Sequence, residues 1–366
     1  MTQRLFYELS VQDDPAQQLL TVSGHCTLSG GGPAALKKDP RFTFREDGFS
    51  GQVPYQAIDF MPQDIFVVRD FYPQPLSDDL PCDFTVRLRS PRKTALATGK
   101  LTGGAFRERH VRSFALVLSD AFGHLSDRYK DISLHCLYYP QNPALARTVL
   151  DHAKMDLAAC EALLGFFPYQ GLTFTPASMR WRGGCPLATG VLGLHHRPED
   201  QVLMGDNWII THEICHEYWG EYVRDAEPAG WLGIGLGLAT DIELSQDKAM
   251  HEWDARMYRE ACAAGRRTAI DIPVAEFEQL MAAPEVYDYN SAVIHGKSGL
   301  IMARIKAEIG REAFFRALAG LLRDYAGRSV DRISFLKAIR DESGRDFSKE
   351  LRCWLETDDC ITGDTP

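Results

Sequence analysis

No basic run, no C-x-x-C pair, no apolar stretch of membrane-spanning length, no internal repeat and no low-complexity tract occurs in this sequence. Without a basic run there is nothing to track phosphates, and the formal charge of -10 is spread along the chain instead of gathered in a tail. Nucleic acid and membrane surfaces are therefore not expected partners. A bilayer span needs roughly 18 apolar residues, and the start MTQRLFYELS lacks the charged flank and long apolar core of a secretory signal, so a cytoplasmic protein is expected. The nine cysteines, an odd number scattered from Cys26 to Cys360, read as reduced, mostly buried thiols and not as a disulfide framework. What remains is an ordinary soluble composition, 45% hydrophobic and 25% charged over 366 residues, which is enough chain for two packed domains.

Residues 1–140 alternate short β-rich runs with turn signals: RLFYELSV, QLLTVSGHCTL, the SGGGP turn at 29–33, IDFMPQDIFVVRDF, CDFTVRLRS and RSFALVLSD. Period-two patterning over runs this short predicts an N-terminal antiparallel, β-sandwich-like domain with polar faces outward. After about residue 141 the period changes. ALARTVLDHAKMDLAACEALLGFF spaces its apolar residues three and four apart and stops at Gly165 and Pro168, as an amphipathic helix does. From 245 onward the pattern is helical in HEWDARMYREACAAG, VAEFEQLMAAP, KSGLIMARIKAEIG, REAFFRALAGLLRDYAG and VDRISFLKAIRDESG, each closed by Gly or Pro. The expected class is α+β, with the β domain over 1–140 and a mostly helical catalytic domain over 141–366.

The stretch that carries chemistry is THEICHEYWG at 211–220. On a helix, residues i and i+4 share a face, so His212 and His216 can each offer a ring nitrogen to one ion. Glu213 sits one position round, where a carboxylate can take a proton from water. A purely structural metal site has no need of that base.

The fuller string HEICHEYWGEYV, followed by PAGWLGIGLGLATDIEL, resembles the gluzincin zinc aminopeptidases, the family of membrane alanyl aminopeptidase and leukotriene hydrolase. Their H-E-x-x-H is followed by an aromatic pair and glycine, then by W-L-x-E-G-x-A on the next helix; Tyr218, Trp219 and Gly220, and then Trp231 and Leu232, take those places here. LGFFPYQGLTF at 164–174 resembles the segment entering the family's catalytic sheet. CPLATGVLGL at 185–194 falls where its G-A-M-E-N strand precedes the zinc helix. YNSAVIHGKSGLIMARIKAEIG resembles the segment bearing Y-x-K-G, and GRDFSKELRCWL the end of the catalytic domain. The resemblance implies a thermolysin-like catalytic domain behind a β domain, without the family's long C-terminal helical domain, and one zinc ion per chain.

The family pattern is broken at three positions. Its third zinc ligand, a glutamate, aligns with Ile234, or with Gly235 on a strict count; the glutamate that grips the substrate's free amine aligns with Gly190; the tyrosine that donates to the oxyanion aligns with His295. Zinc held by two histidines alone would be weak, since protein zinc sites normally supply three or four ligands. Asp241 lies two helical turns beyond Ile234, roughly 10 Å along the axis, and it or Glu243 supplies a carboxylate only if that helix is displaced along its axis relative to the family. Of His195 and His196, neighbours on a strand end that point to opposite faces, at most one faces the metal; His196 is the candidate. His295 is a further source of a ligand, or, protonated, of an oxyanion donor. Tyr289 resembles another tyrosine of the family and is expected at the cleft, with Gly190, Val191 and Ile234 lining it.

The expected function is a zinc-dependent metallohydrolase acting on an amide or ester of a specialised small-molecule or peptide-like substrate, a modified peptide or biosynthetic intermediate. The loss of the amine-gripping glutamate argues against general N-terminal trimming. Two alternatives stay open: a catalytically diverged binding module with its cleft reused, and a two-histidine, one-carboxylate site holding iron. Gly233, Gly235 and Gly237 read as permitting close backbone approach, and Lys297 and the arginines near 86–113 as solvated charges.

Overall fold

The computed structural model describes residues 3–32, 34–77, 80–177, 183–195, 207–245 and 248–361. Strands fill the chain up to Tyr138: β1 (Leu5–Asp14), β2 (Leu19–Leu28), β3 (Phe42–Arg45), β4 (Gly48–Pro54), β5 (Ile65–Val68), β6 (Cys82–Arg89), β7 (Thr94–Ala97), β8 (Lys100–Thr102), β9 (Ala105–Val111), β10 (Leu116–Ser119), β11 (Gly123–Tyr129) and β12 (Ile132–Tyr138). Helix α1 (Pro143–Leu164) precedes β13 (Gly171–Ala177), β14 (Gly184–Ala188) and β15 (Val191–His195). Then come α2 (Asn207–Tyr218), β16 (Arg224–Asp225), α3 (Trp231–Leu244), α4 (Ala249–Ala263), α5 (Val274–Ala282) and a π-helical stretch (Asn290–Lys297). The chain continues through α6 (Ser298–Ile309), α7 (Arg311–Asp324), β17 (Ser329–Val330), α8 (Arg332–Ser343) and α9 (Ser348–Glu356). The class is mixed α+β, sheets first and helices after. Among the described residues no helix is long and apolar enough to cross a membrane.

The chain divides into two compact units, residues 1–157 with 168–213, and residues 158–167 with 214–366; of the three crossings, those at 157/158 and 213/214 fall inside helices α1 and α2. In the first unit the alternation of β1 is decisive: Leu5, Tyr7, Leu9 and Val11 are buried while Phe6, Glu8, Ser10 and Gln12 are exposed. That buried row belongs to a seven-stranded sheet of order β3-β4-β2-β1-β6-β9-β8 and packs with Phe71, Phe114, Leu116 and Leu118. The sheet is not wholly antiparallel as expected, because β1 pairs with β6 in parallel, from Leu5 against Cys82 to Gln12 against Arg89. A three-stranded sheet, β5-β10-β7, is buried on both faces; its other side, with Ile65, Val67 and Val117, meets Leu187, Ala188 and Val191 of a five-stranded sheet ordered β11-β12-β13-β15-β14. A middle layer covered twice explains why β10 reads as a continuous apolar run instead of an alternating one.

In the second unit α3 is buried along almost its whole length and serves as the central helix. Its three glycines each meet a different neighbour at close range: Gly233 meets Asp225, Gly235 meets Met302 and Ser298 of α6, and Gly237 meets His216. Two expectations are corrected here. Lys297 is not solvated; it is fully buried, with Nζ donating to the carbonyls of Thr268 at 2.8 Å and Thr357 at 2.9 Å, and burial pulls its pKa down to about 8. Cys262 and Cys360 are not free thiols but a disulfide joining α4 to the chain beyond α9. Arg92 also departs from the solvated reading, since its buried side chain pairs with Asp13 and Asp120.

Candidate active site

Helix α2 carries the motif, and nearly every side chain around it is buried: Thr211, Glu213, His216 and Glu217 are covered, and His212 is half-buried. Glu213 is only 2% exposed. Its position is set by Gly184, the first residue of β14. A Cβ added to Gly184 would fall 2.5 Å from both Cγ and Oε1 of Glu213, so the carboxylate lies directly on the bare α-carbon. The neighbouring Cys185 thiol is pushed up to about 12, by burial first and by the Glu213 charge second, and so stays protonated at neutral pH.

His216 faces α3. Its Nδ1 lies 3.4 Å from the carbonyl oxygen of Trp219, and since a carbonyl only accepts, the ring presents Nδ1–H there and keeps its lone pair on Nε2. A metal-binding histidine is commonly held in this way, with the outer nitrogen donating to a backbone carbonyl. Trp219 is itself pinned, its indole donating to Thr240 Oγ1 at 3.1 Å while Thr240 donates to the Leu236 carbonyl at 2.9 Å. The α3 position over the His216 ring is Gly237, whose added Cβ would sit 3.6 Å from Cε1. The helix therefore offers backbone, not a ligand, at that point. The start of α3 is fixed by Asp225, which accepts from the backbone of Gly233 and Glu227, each at 2.6 Å, and whose pKa burial raises to about 6 against those hydrogen bonds.

The other residues expected at the site are distributed as follows. Asp241 is fully buried and pairs with His251 of α4, Oδ2 to Nε2 at 3.2 Å. Glu243 is held by Lys306 at 3.2 Å and by Arg311; burial opposes its ionisation, but those two cations outweigh it and keep the carboxyl below its ordinary range. Ile234 is half-buried on α3. His295 sits in the π-helical stretch with Nδ1 3.1 Å from the Asn290 carbonyl, and with His251, Asp254, Leu238 and Ile242 it lines a cavity of about 20 Å³, room for one water. Tyr289 does not present its hydroxyl to that cavity: buried, it donates to the Ala269 carbonyl at 2.6 Å and packs edge-on against Phe277 and Tyr287. His196 lies outside the described residues. Val191 is buried at the start of β15. Gly190 belongs to the turn before it, at φ 68° with an added Cβ only 2.5 Å from the Gly171 carbonyl, so it cannot be the counterpart of a strand glutamate. G-A-M-E-N laid on the five residues of β14 puts its glutamate at Leu187, a buried side chain of the core. Either way no carboxylate stands at that place.

Sequence reasoning passed over His251 and Asp254, which HEWDARM spaces three apart on α4, and over Gly184, whose role depends on what lies across from it. Among the described residues no three His, Cys, Asp or Glu side chains are grouped to hold a metal ion. His212 and His216 lie one helical turn apart on α2, with Nδ1 of His216 turned to the Trp219 carbonyl.

No model of a known protein family matches the chain. Over 154 residues, 40% of its length, it is 23% identical to Aminopeptidase N of Streptomyces lividans, and the match spans only 18% of that relative. Its backbone superposes on an M1 zinc metallopeptidase from Deinococcus radiodurans, a mutant crystallised with a Tyr-Ser-Ala substrate. The TM-score is 0.65 and the identity 14%, covering 99% of this chain and 96% of that one. With those two likenesses beside HEICHE on α2, the chain resembles the gluzincin aminopeptidases and shares the mixed α+β architecture of an M1 peptidase.

Proposed function

We propose that the protein is a zinc-dependent hydrolase, thermolysin-like in its catalytic region, that cleaves an amide or ester in a peptide-like substrate lacking an ordinary free N-terminus. The seat of Glu213 on Gly184 carries this reading. A diverged binding module has no use for a carboxylate buried and fitted to one place, whereas a general base held there needs no rearrangement before it takes a proton. His212 and His216 would hold the ion. When bound, zinc supplies Lewis acidity, polarising a carbonyl and bringing water towards a pKa of about 7. Glu213 accepts the proton from the attacking water and returns it to the leaving group. His295, with Nδ1–H given to Asn290, donates from Nε2 to an oxyanion only as the imidazolium. Leu187 and Gly190 offer nothing to grip an ammonium group, which favours blocked or modified amino ends.

A second reading, a binding module that no longer catalyses, is favoured by Gly237, an α3 position beside the His216 ring that has no ligating side chain of its own. Metal analysis joined to turnover separates the two. Expected are a zinc ion lost in His212→Ala and in His216→Ala, and faster hydrolysis of N-acylated peptide amides or esters than of free aminoacyl anilides. Glu213→Gln should lose about 10²–10⁴-fold in turnover at unchanged zinc content. Folded protein that takes up no zinc through these histidines and cleaves none of the substrates sinks the hydrolase.

A further inference from the structure

A second pair of imidazoles stands outside α2, on the β11–β12 hairpin. Nε2 of His124 and Nδ1 of His135 are 3.1 Å apart, with ring centroids 5.2 Å apart and planes inclined at 37°. The register pairs His124 with Leu137 and His135 with Ser126, so the two histidines are diagonal neighbours on one face of an unbroken antiparallel ladder. Two ring nitrogens come this close only with something between them, a proton or a cation. If one ring turns an N–H inward, the contact is an N–H···N hydrogen bond. If both carry their hydrogens on the outer nitrogens, two lone pairs converge. At a zinc–nitrogen distance of about 2.05 Å, a span of 3.1 Å closes on one ion with an angle of about 98° at the metal. That lies between the right angle of tetragonal copper or nickel and the tetrahedral angle of zinc.

We propose that His124 and His135 form a second divalent-metal site, for zinc, nickel or copper, with water filling the remaining positions. His124 is exposed and His135 half-buried, so an ion reaches the pair from solvent. The nearest acid along the strand, Asp127, points to the opposite face and is engaged by Arg147 at 2.7 Å and Lys154 at 2.9 Å. An all-nitrogen donor pair favours borderline transition ions over magnesium or calcium. Nothing in this site depends on His212 or His216.

Equilibrium dialysis of the full chain against zinc chloride near pH 7.5 tests it. The variant His124→Asn with His135→Asn should bind one ion fewer per chain than the wild type, and His212→Ala with His216→Ala should keep that ion. Equal stoichiometry in the wild type and a folded His124→Asn, His135→Asn protein overturns the site. Should that variant fail to fold, nickel titration of the wild type reads the same question by NMR. Selective broadening of the two rings' protons supports the pair, and sharp signals at saturating nickel overturn it.

Discussion

An alanine at position 184 would drive its Cβ into the Glu213 carboxylate, so Gly184→Ala should cost about 1–3 kcal/mol by overpacking, read as a lower urea midpoint. The clash is with one side chain, so pairing it with Glu213→Ala should return at least 1 kcal/mol in a double-mutant cycle; additive losses would show that Glu213 does not rest there. Glu108 supplies a prediction with a pH axis. Burial raises its pKa to about 7 although Gln170 and Arg109 donate backbone N–H groups to it, at 2.6 and 3.0 Å. The folded state therefore holds a proton that the unfolded chain releases near the ordinary glutamate value, so this residue's contribution to stability falls as pH rises from about 4.5 to 7 and levels off above that. Chemical denaturation at both ends of that window should show Glu108→Gln losing less stability with pH than the wild type, by up to roughly 3 kcal/mol. At this scale the helix carrying His212, Glu213 and His216 was legible because its spacing is local. Gly184, His251 and the buried Lys297 were not, because their surroundings come from residues distant in sequence.

Single elements followed local rules, which is why the helices could be read so well. α8 begins at Asp331, whose side chain accepts from the Ser334 backbone at 2.8 Å, and ends at Gly344 with φ 72°; α1 stops at Gly165 with φ 94°. Pairing between strands is not local, so the parallel partnership of β1 and β6 and the double covering of β10 could not be foreseen. The glycines of α3 offer a test in which two similar changes part company. At Gly237 an added methyl meets the His216 ring at 3.6 Å, an ordinary contact, so Gly237→Ala should stabilise the fold by up to about 1 kcal/mol through helix propensity. At Gly235 it meets Met302 Cε at 3.0 Å and the Ser298 carbonyl at 3.2 Å, and that carbonyl belongs to a helix backbone that does not give way easily. Gly235→Ala should therefore be net destabilising, by about 1 kcal/mol once overpacking is set against the same propensity gain. Urea midpoints moving in the same direction for both would refute the packing described for α3.

For the whole molecule, composition bounded the class but not the covalent topology, because nine scattered cysteines give no hint of which two meet. Cys262 and Cys360 meet because residues 357–361 return to α4 and the chain after it. Asp358 accepts from the backbone of Thr268 at 2.7 Å and Ala269 at 2.8 Å, Thr357 takes one hydrogen bond from Lys297, and Ile361 N donates to Tyr258 at 3.0 Å. These contacts hold the segment in place whether or not sulfur is oxidised, so the disulfide's own effect comes mainly from the unfolded chain. The bond spans 98 residues, and in the chain-entropy model closing a loop of that length is worth about 4.7 kcal/mol, where measured bridges typically give about 2–4 kcal/mol. Dithiothreitol should accordingly lower the wild-type urea midpoint, and Cys360→Ser should match the reduced wild type and ignore the reductant. If instead the wild type unfolds at the same midpoint with and without dithiothreitol while mass spectrometry shows both thiols reduced, the hydrogen-bonded return of residues 357–361 carries that stability alone and the sulfur bridge adds nothing.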